Sequence, residues 1–155
     1  MGEVTHEQAN LLLRLYELRR EPRLREAREW YFKHFIPATP EDAMRICPPN
    51  SEESVSMRMV TSYWEMVAGM ANRGLIEEDF FFENTGEQWA VWERLKPIVP
   101  AFRAMFKNPN AYKQLEENVR RMDAWKEKNA PGSVEAMRQM MAMMAAKPKE
   151  QATKA

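Results

Sequence analysis

The sequence predicts an all-α protein: one compact bundle of about six to eight helices, some of them short. Three observations carry this. Glycine is scarce at 5 residues while methionine reaches 13, alongside abundant Glu, Arg and Ala, a composition that suits helices and disfavours turn-rich β sandwiches. Apolar residues recur at three and four positions along most of the chain. No segment shows the alternation of a half-buried strand. With 155 residues, the chain is long enough for a single core.

Thr5 to Gln8 reads as a capping box that opens the first helix, followed by Leu11, Leu12, Leu15 and Leu18 at helical spacing. Glu21-Pro22 ends it, and Pro22 opens the second helix at its first position. That helix points Leu24, Ala27, Trp30, Tyr31 and Phe35 inward and stops by Pro37. Thr39-Pro40-Glu41-Asp42 starts a short third helix, and residues 47–51 form a loop. The strongest helical pattern runs from Glu52 to Arg73, with Val60, Tyr63, Trp64, Val67, Met70 and Ala71 on one stripe. Gly74 stands where a left-handed cap is needed, with Leu75 placed for the contact that accompanies it.

Residues 77–83 predict another short helix. Thr85 to Gln88 reads as a second capping box, leading into Trp89, Val91, Trp92 and Leu95. Pro97 and Pro100 break the chain, and Pro100 starts a further helix with Phe102, Met105 and Phe106 on one side. Asn108-Pro109 reads as the start of a helix carrying Tyr112, Leu115, Val119 and Met122, with Glu116–Arg120 and Glu117–Arg121 pairs on its wet face. Pro131 and Gly132 form a hinge, and Ser133 caps a last helix to about Ala146. The expected organisation is a helical domain over 1–130, a Met-rich helix over 131–146 and a disordered tail over 147–155.

Charge narrows the function classes. Lys plus Arg number 23 and Asp plus Glu 23, so bulk charge argues against a nucleic-acid or anionic-membrane binder. Six arginines between Arg14 and Arg28 are interleaved with glutamates and read as a solvated, paired face. The longest apolar runs fall short of a membrane span, and the N-terminus lacks a secretory or myristoylation pattern. The single cysteine, Cys47, fits a reducing compartment, and a cytoplasmic location is expected.

Chemistry-bearing groups are sparse. His6 lies in the first cap, His34 near a helix end, and Cys47 beside two prolines; nothing in their spacing joins them. Glu3 to His6 offers one Glu-x-x-His pair where a di-iron bundle wants two. Phe81 blocks an EF-hand reading of the acidic stretch at Asp79, and phosphate-binding glycine motifs are missing. No catalytic residue, cofactor or metal is expected.

Two features remain. Phe80, Phe81 and Phe82 are consecutive, and with about 100° between successive side chains they fill a core from two sides or present a ring at an interface. Met137, Met140, Met141, Met143 and Met144 make a flexible apolar face, which packs on its own domain or docks a partner; Cu(I) would want His or Cys beside the thioethers. The leading expectation is a non-catalytic protein–protein interaction module, with a homodimer as one form. The alternative is a helical regulator holding an apolar small molecule in a pocket around Trp64, Trp89 and Trp92.

The runs Glu21-Pro22-Arg23-Leu24-Arg25-Glu26-Ala27-Arg28, Tyr63 to Val67, Arg73-Gly74-Leu75-Ile76-Glu77-Glu78-Asp79-Phe80-Phe81-Phe82 and Val91-Trp92-Glu93-Arg94-Leu95-Lys96-Pro97 resemble a bacterial family known as domain of unknown function 4760. The resemblance spans roughly Leu11 to Trp125 and implies an all-helical fold, with no activity or catalytic residue to carry over. Many relatives place a membrane-spanning segment ahead of this domain. Here Leu11, Leu12 and Leu13 lie in a charged helix instead, and the Met-rich C-terminus falls outside the shared pattern.

Overall fold

A computed structural model describes the backbone of residues 2–152 and the side chains of residues 2–146. Among the described residues there is no strand. The helices are α1 (His6–Arg19), α2 (Pro22–His34), α3 (Pro40–Ile46), α4 (Glu52–Asn72), α5 (Glu78–Asn84), α6 (Glu87–Leu95), α7 (Val99–Met105), α8 (Lys113–Asn129) and α9 (Ser133–Ala152), with one 3-10 turn at Lys96–Ile98. The all-α expectation holds. The chain divides into two units, Met1–Val119 and Arg120–Ala155.

The first unit is built on α2 against α4, with α6 packed on α4 and α1 on α2. Its core contains Ala27, Tyr31 and Phe35 from α2, Val60, Trp64, Val67 and Ala68 from α4, and Trp89, Val91 and Leu95 from α6. The Tyr31 and Phe35 rings stack at 4.8 Å. Burying two tyrosines is costly unless their hydroxyls are satisfied. Tyr31 donates to the Val91 carbonyl at 2.8 Å and Tyr63 to the Leu15 carbonyl at 2.5 Å. Arg94 of α6 closes the end of α2: its Nη1 donates to the Phe32 carbonyl at 2.5 Å, with the guanidinium over the Phe32 ring.

Local caps behave as the sequence predicts at most helix ends. Thr39 and Asp42 form a reciprocal capping box. Thr5 accepts from Gln8 N, but the Gln8 side chain accepts from the Glu77 N–H and does not return to the cap, so only half of the expected box forms. Ser51, at the end of the expected loop, accepts from Ser54 N. Gly74 is left-handed at φ 77°, and the Leu75 and Gly74 amides donate to the Met70 and Ala71 carbonyls. That is the Schellman pattern.

Three local readings are corrected. Thr85 is not the cap of α6: the helix begins after Gly86, and the Thr85 hydroxyl instead donates to the Phe81 carbonyl and accepts from Gln88 Nε2. Asn108-Pro109 does not open α8. That segment is a turn, with Lys107 and Tyr112 both at positive φ, and α8 starts at Lys113. Leu18 is 40% exposed, because the inward face of α1 is centred on Leu15 instead.

The second unit takes in the C-terminal part of α8 and all of α9. Met122 and Val134 are buried in it, and Arg138 of α9 pairs with Asp123 of α8 at 3.2 Å. Ser133 is the first residue of α9 rather than its cap; Gly132, at φ 82°, precedes it, with its amide donating to the Glu127 carboxylate. The backbone helix reaches Ala152, and the tail expected over 147–155 falls where side chains lie outside the described residues.

Candidate functional site

The most distinctive chemistry is a cluster that no motif announced. Glu87, at the first turn of α6, is drawn into the angle between α1, α2 and α4. Its carboxylate accepts Arg28 Nε at 2.7 Å and Arg28 Nη2, Arg19 Nη1 at 3.1 Å and Trp64 Nε1 at 3.1 Å. The Glu87 side chain keeps 12% exposure, Arg28 20% and Arg19 25%. Arg28 meets both carboxylate oxygens in the forked geometry that guanidinium favours, and its Nη1 reaches the Arg19 carbonyl. This bond to Glu87 is the main reason the Arg28 guanidinium holds its proton more tightly than usual, in opposition to burial.

Beside the cluster lies an open groove of about 270 Å³ between α1, α4 and α5. Its floor is Leu15, Trp64, Val67 and Phe81, all buried. Leu13 and Tyr16 stand on its rim, 61% and 48% exposed. Arg19 closes one end, its guanidinium 5.2 Å from the Tyr16 ring centroid. Burial of the Tyr63 hydroxyl under the groove pushes its pKa up to about 12, so it stays a neutral donor.

The residues singled out in the sequence scatter. Phe81 and Phe82 are buried, at 1% and 3% exposure, and only Phe80 is half-buried. Their place on an interaction surface is therefore withdrawn: α5 is short and sits against α1 and α4, so two consecutive rings turn into the core. Of the three tryptophans expected around one pocket, only Trp64 borders the groove. Trp89 is sealed in the core and Trp92 is half-buried, because α6 reaches this region through Glu87 rather than through its indoles. The Met-rich helix does present a surface. Met140, Met143 and Met144 are 60%, 65% and 60% exposed, while Met137 and Met141 are half-buried.

The polar candidates stay apart. His34 ends α2, beside the Trp30 ring. Cys47 is buried at the end of α3, and desolvation, aided by the nearby Glu53 charge, raises its thiol to about 11, so it is protonated at neutral pH. Among the described residues no three His, Cys, Asp or Glu side chains converge as a metal would need, and no helix is long and apolar enough to cross a membrane.

Arg19 and Arg28 belong to the arginine run read from the sequence as a solvated, paired face. That reading is corrected, because both are drawn into a part-buried cluster by Glu87, a residue the sequence did not single out. Two arginines nine residues apart, on different helices, and a glutamate 59 residues further on carry no spacing signal. No curated protein and no solved structure is significantly similar to this chain. The family comparison covers residues 4–122, which takes in the cluster, the groove and the Schellman cap of α4; this protein belongs to the family described as Domain of unknown function (DUF4760).

Proposed function

We propose that this protein is a non-catalytic interaction module that associates with a second copy of itself through the exposed methionines of α9. The observation behind this is the stripe of Met140, Met143 and Met144, spaced by three and one along the helix and each more than half exposed. Thioether side chains are apolar and unbranched, so such a stripe gains from being covered and adapts to what covers it. Two identical stripes related by a twofold axis are complementary to each other without a second surface. The reading needs no cofactor, and it fits a cytoplasmic protein.

Sedimentation velocity across the micromolar range tests it. The wild-type protein is expected to be dimeric, and the Met140→Gln, Met143→Gln, Met144→Gln triple variant monomeric with unchanged helical circular dichroism. A wild-type monomer throughout that range overturns the proposal.

A second reading has its own support. The groove above Trp64 and Phe81 is concave and mostly apolar, with Arg19 and a few other polar side chains in its lining, which is the composition of a small-molecule site. On this reading the protein is a helical regulator that holds an apolar ligand, whether or not it dimerises.

A further inference from the structure

We infer that the groove between α1, α4 and α5 binds a small amphipathic monocarboxylate, an apolar chain bearing one carboxylate, with Arg19 as the partner of that carboxylate. The inference rests on the small-molecule reading of the groove and adds the chemistry of the ligand's head.

The argument is one of charge. Arg19, Arg28 and Glu87 form a half-buried cluster with two cations and one anion. Arg28 binds both oxygens of Glu87 and spends its third nitrogen on the Arg19 carbonyl, so that pair is closed. Arg19 gives Glu87 only Nη1; its Nε and Nη2 meet no acceptor among the described residues. One positive charge is thus left over, three-quarters shielded from water, at the end of an apolar trough. An unmatched charge in such a place is costly, and an anion that reaches it recovers the loss.

Within the cluster the excess is a single charge, which matches a carboxylate; Arg20, 5.5 Å from the Tyr16 ring, is not part of the groove's lining. Arg19's open edge offers two N–H groups side by side, the fork that a carboxylate accepts. The floor of Leu15, Trp64, Val67 and Phe81 is apolar apart from the Trp64 N–H, which Glu87 already takes, and the donors of the polar lining residues Tyr63, Asn84 and Thr85 are spent on the Leu15, Phe80 and Phe81 carbonyls. The rest of the ligand is therefore apolar. The groove is open along Leu13 and Tyr16 and small at about 270 Å³, so it suits a medium-length alkyl chain lying along α1 better than a fused-ring molecule.

Isothermal titration of the full chain with decanoate and with decanol, below the concentration at which either aggregates, separates the possibilities. The expected result is one saturable decanoate site, with decanol bound roughly tenfold or more weakly, the worth of one charge-assisted hydrogen bond. In Arg19→Gln, decanoate affinity is expected to fall to that of decanol while decanol binding is unchanged; Arg19→Lys recovers part of the difference. The Trp64 indole N–H resonance, assigned with Trp64→Phe, is expected to shift during the decanoate titration. If the two ligands bind equally, the groove is an apolar-ligand site but the role given to Arg19 is wrong. If neither binds, or decanoate adds without saturation and leaves the Trp64 resonance unmoved, the ligand reading of the groove fails as well.

Discussion

The carboxylate of Glu65 accepts the backbone N–H of Leu115 at 2.7 Å, so that α4 caps α8 across 50 residues of sequence. Its other oxygen takes the N–H of Gln114 at 3.1 Å. The first amides of a helix have no partner within it: here the Asn110 carbonyl takes the Lys113 N–H, and the next two amides go to Glu65, while Tyr112 is left-handed and its hydroxyl lies 3.2 Å from that of Thr61. The same two helices are tied again by Asn72, whose amide nitrogen donates to the Gln114 carbonyl and whose oxygen accepts from Asn118. Glu65→Ala is expected to lower stability by about 1 kcal/mol, the usual worth of a cap, and Glu65→Gln, which keeps one acceptor, by less. Urea unfolding followed by circular dichroism measures both; equal midpoints for all three proteins would show that the cap contributes nothing.

Glu87→Gln removes the carboxylate shared by Arg19 and Arg28. Losing one member of a buried charge group costs roughly 3–5 kcal/mol when the charges left behind are fully sealed. The arginines retain 20% and 25% exposure, so the low end of that range, about 3 kcal/mol, is expected. The double change Arg28→Met with Glu87→Met should restore part of it by removing one of the two uncompensated charges. A midpoint for Glu87→Gln within error of wild type would mean that water already screens the cluster.

Gly74 sits at φ 77° with nothing within 4 Å of where a Cβ would be. The cost of a side chain there is conformational and not steric, so Gly74→Val is expected to destabilise by roughly 1–2 kcal/mol. Gly74→Asn should cost less, since Asn tolerates the left-handed region. If Val and Asn cost the same, the left-handed geometry is not what sets the penalty.

The buried Cys47 thiol gives the protein an alkaline limit. Its pKa rises from 9.0 in the open chain to about 11 in the fold, chiefly through desolvation. Below pH 9 both states keep the proton and the fold has its full advantage. Between 9 and 11 the unfolded chain releases the proton while the folded one retains it, so stability falls as pH rises. The melting temperature should drop across that window, and Cys47→Ala should drop less steeply. A parallel decline in both proteins would assign the loss to the tyrosines, of which Tyr63 is likewise raised, to about 12.

The sequence by itself determined what depends on neighbours in the chain. A cap such as Thr39 with Asp42, or the Gly74 turn, is built from residues within a few positions, so the residue types alone locate the helix ends. The stripe from Val60 to Ala71 likewise fixed which face of α4 is buried. The tertiary structure decided what depends on distant partners. Thr85 and Asn108 have the chemistry of caps, yet Thr85 was drawn to the Phe81 carbonyl and the start of α8 was given to Glu65. Phe81 and Phe82 were hidden while Met140, Met143 and Met144 were left in the open, though all five are equally apolar in a sequence. Glu87 became the acceptor of Arg19, Arg28 and Trp64 only because four helices converge on it. A charged side chain's partner is set by through-space distance, which residue spacing encodes within one helix and loses across a turn.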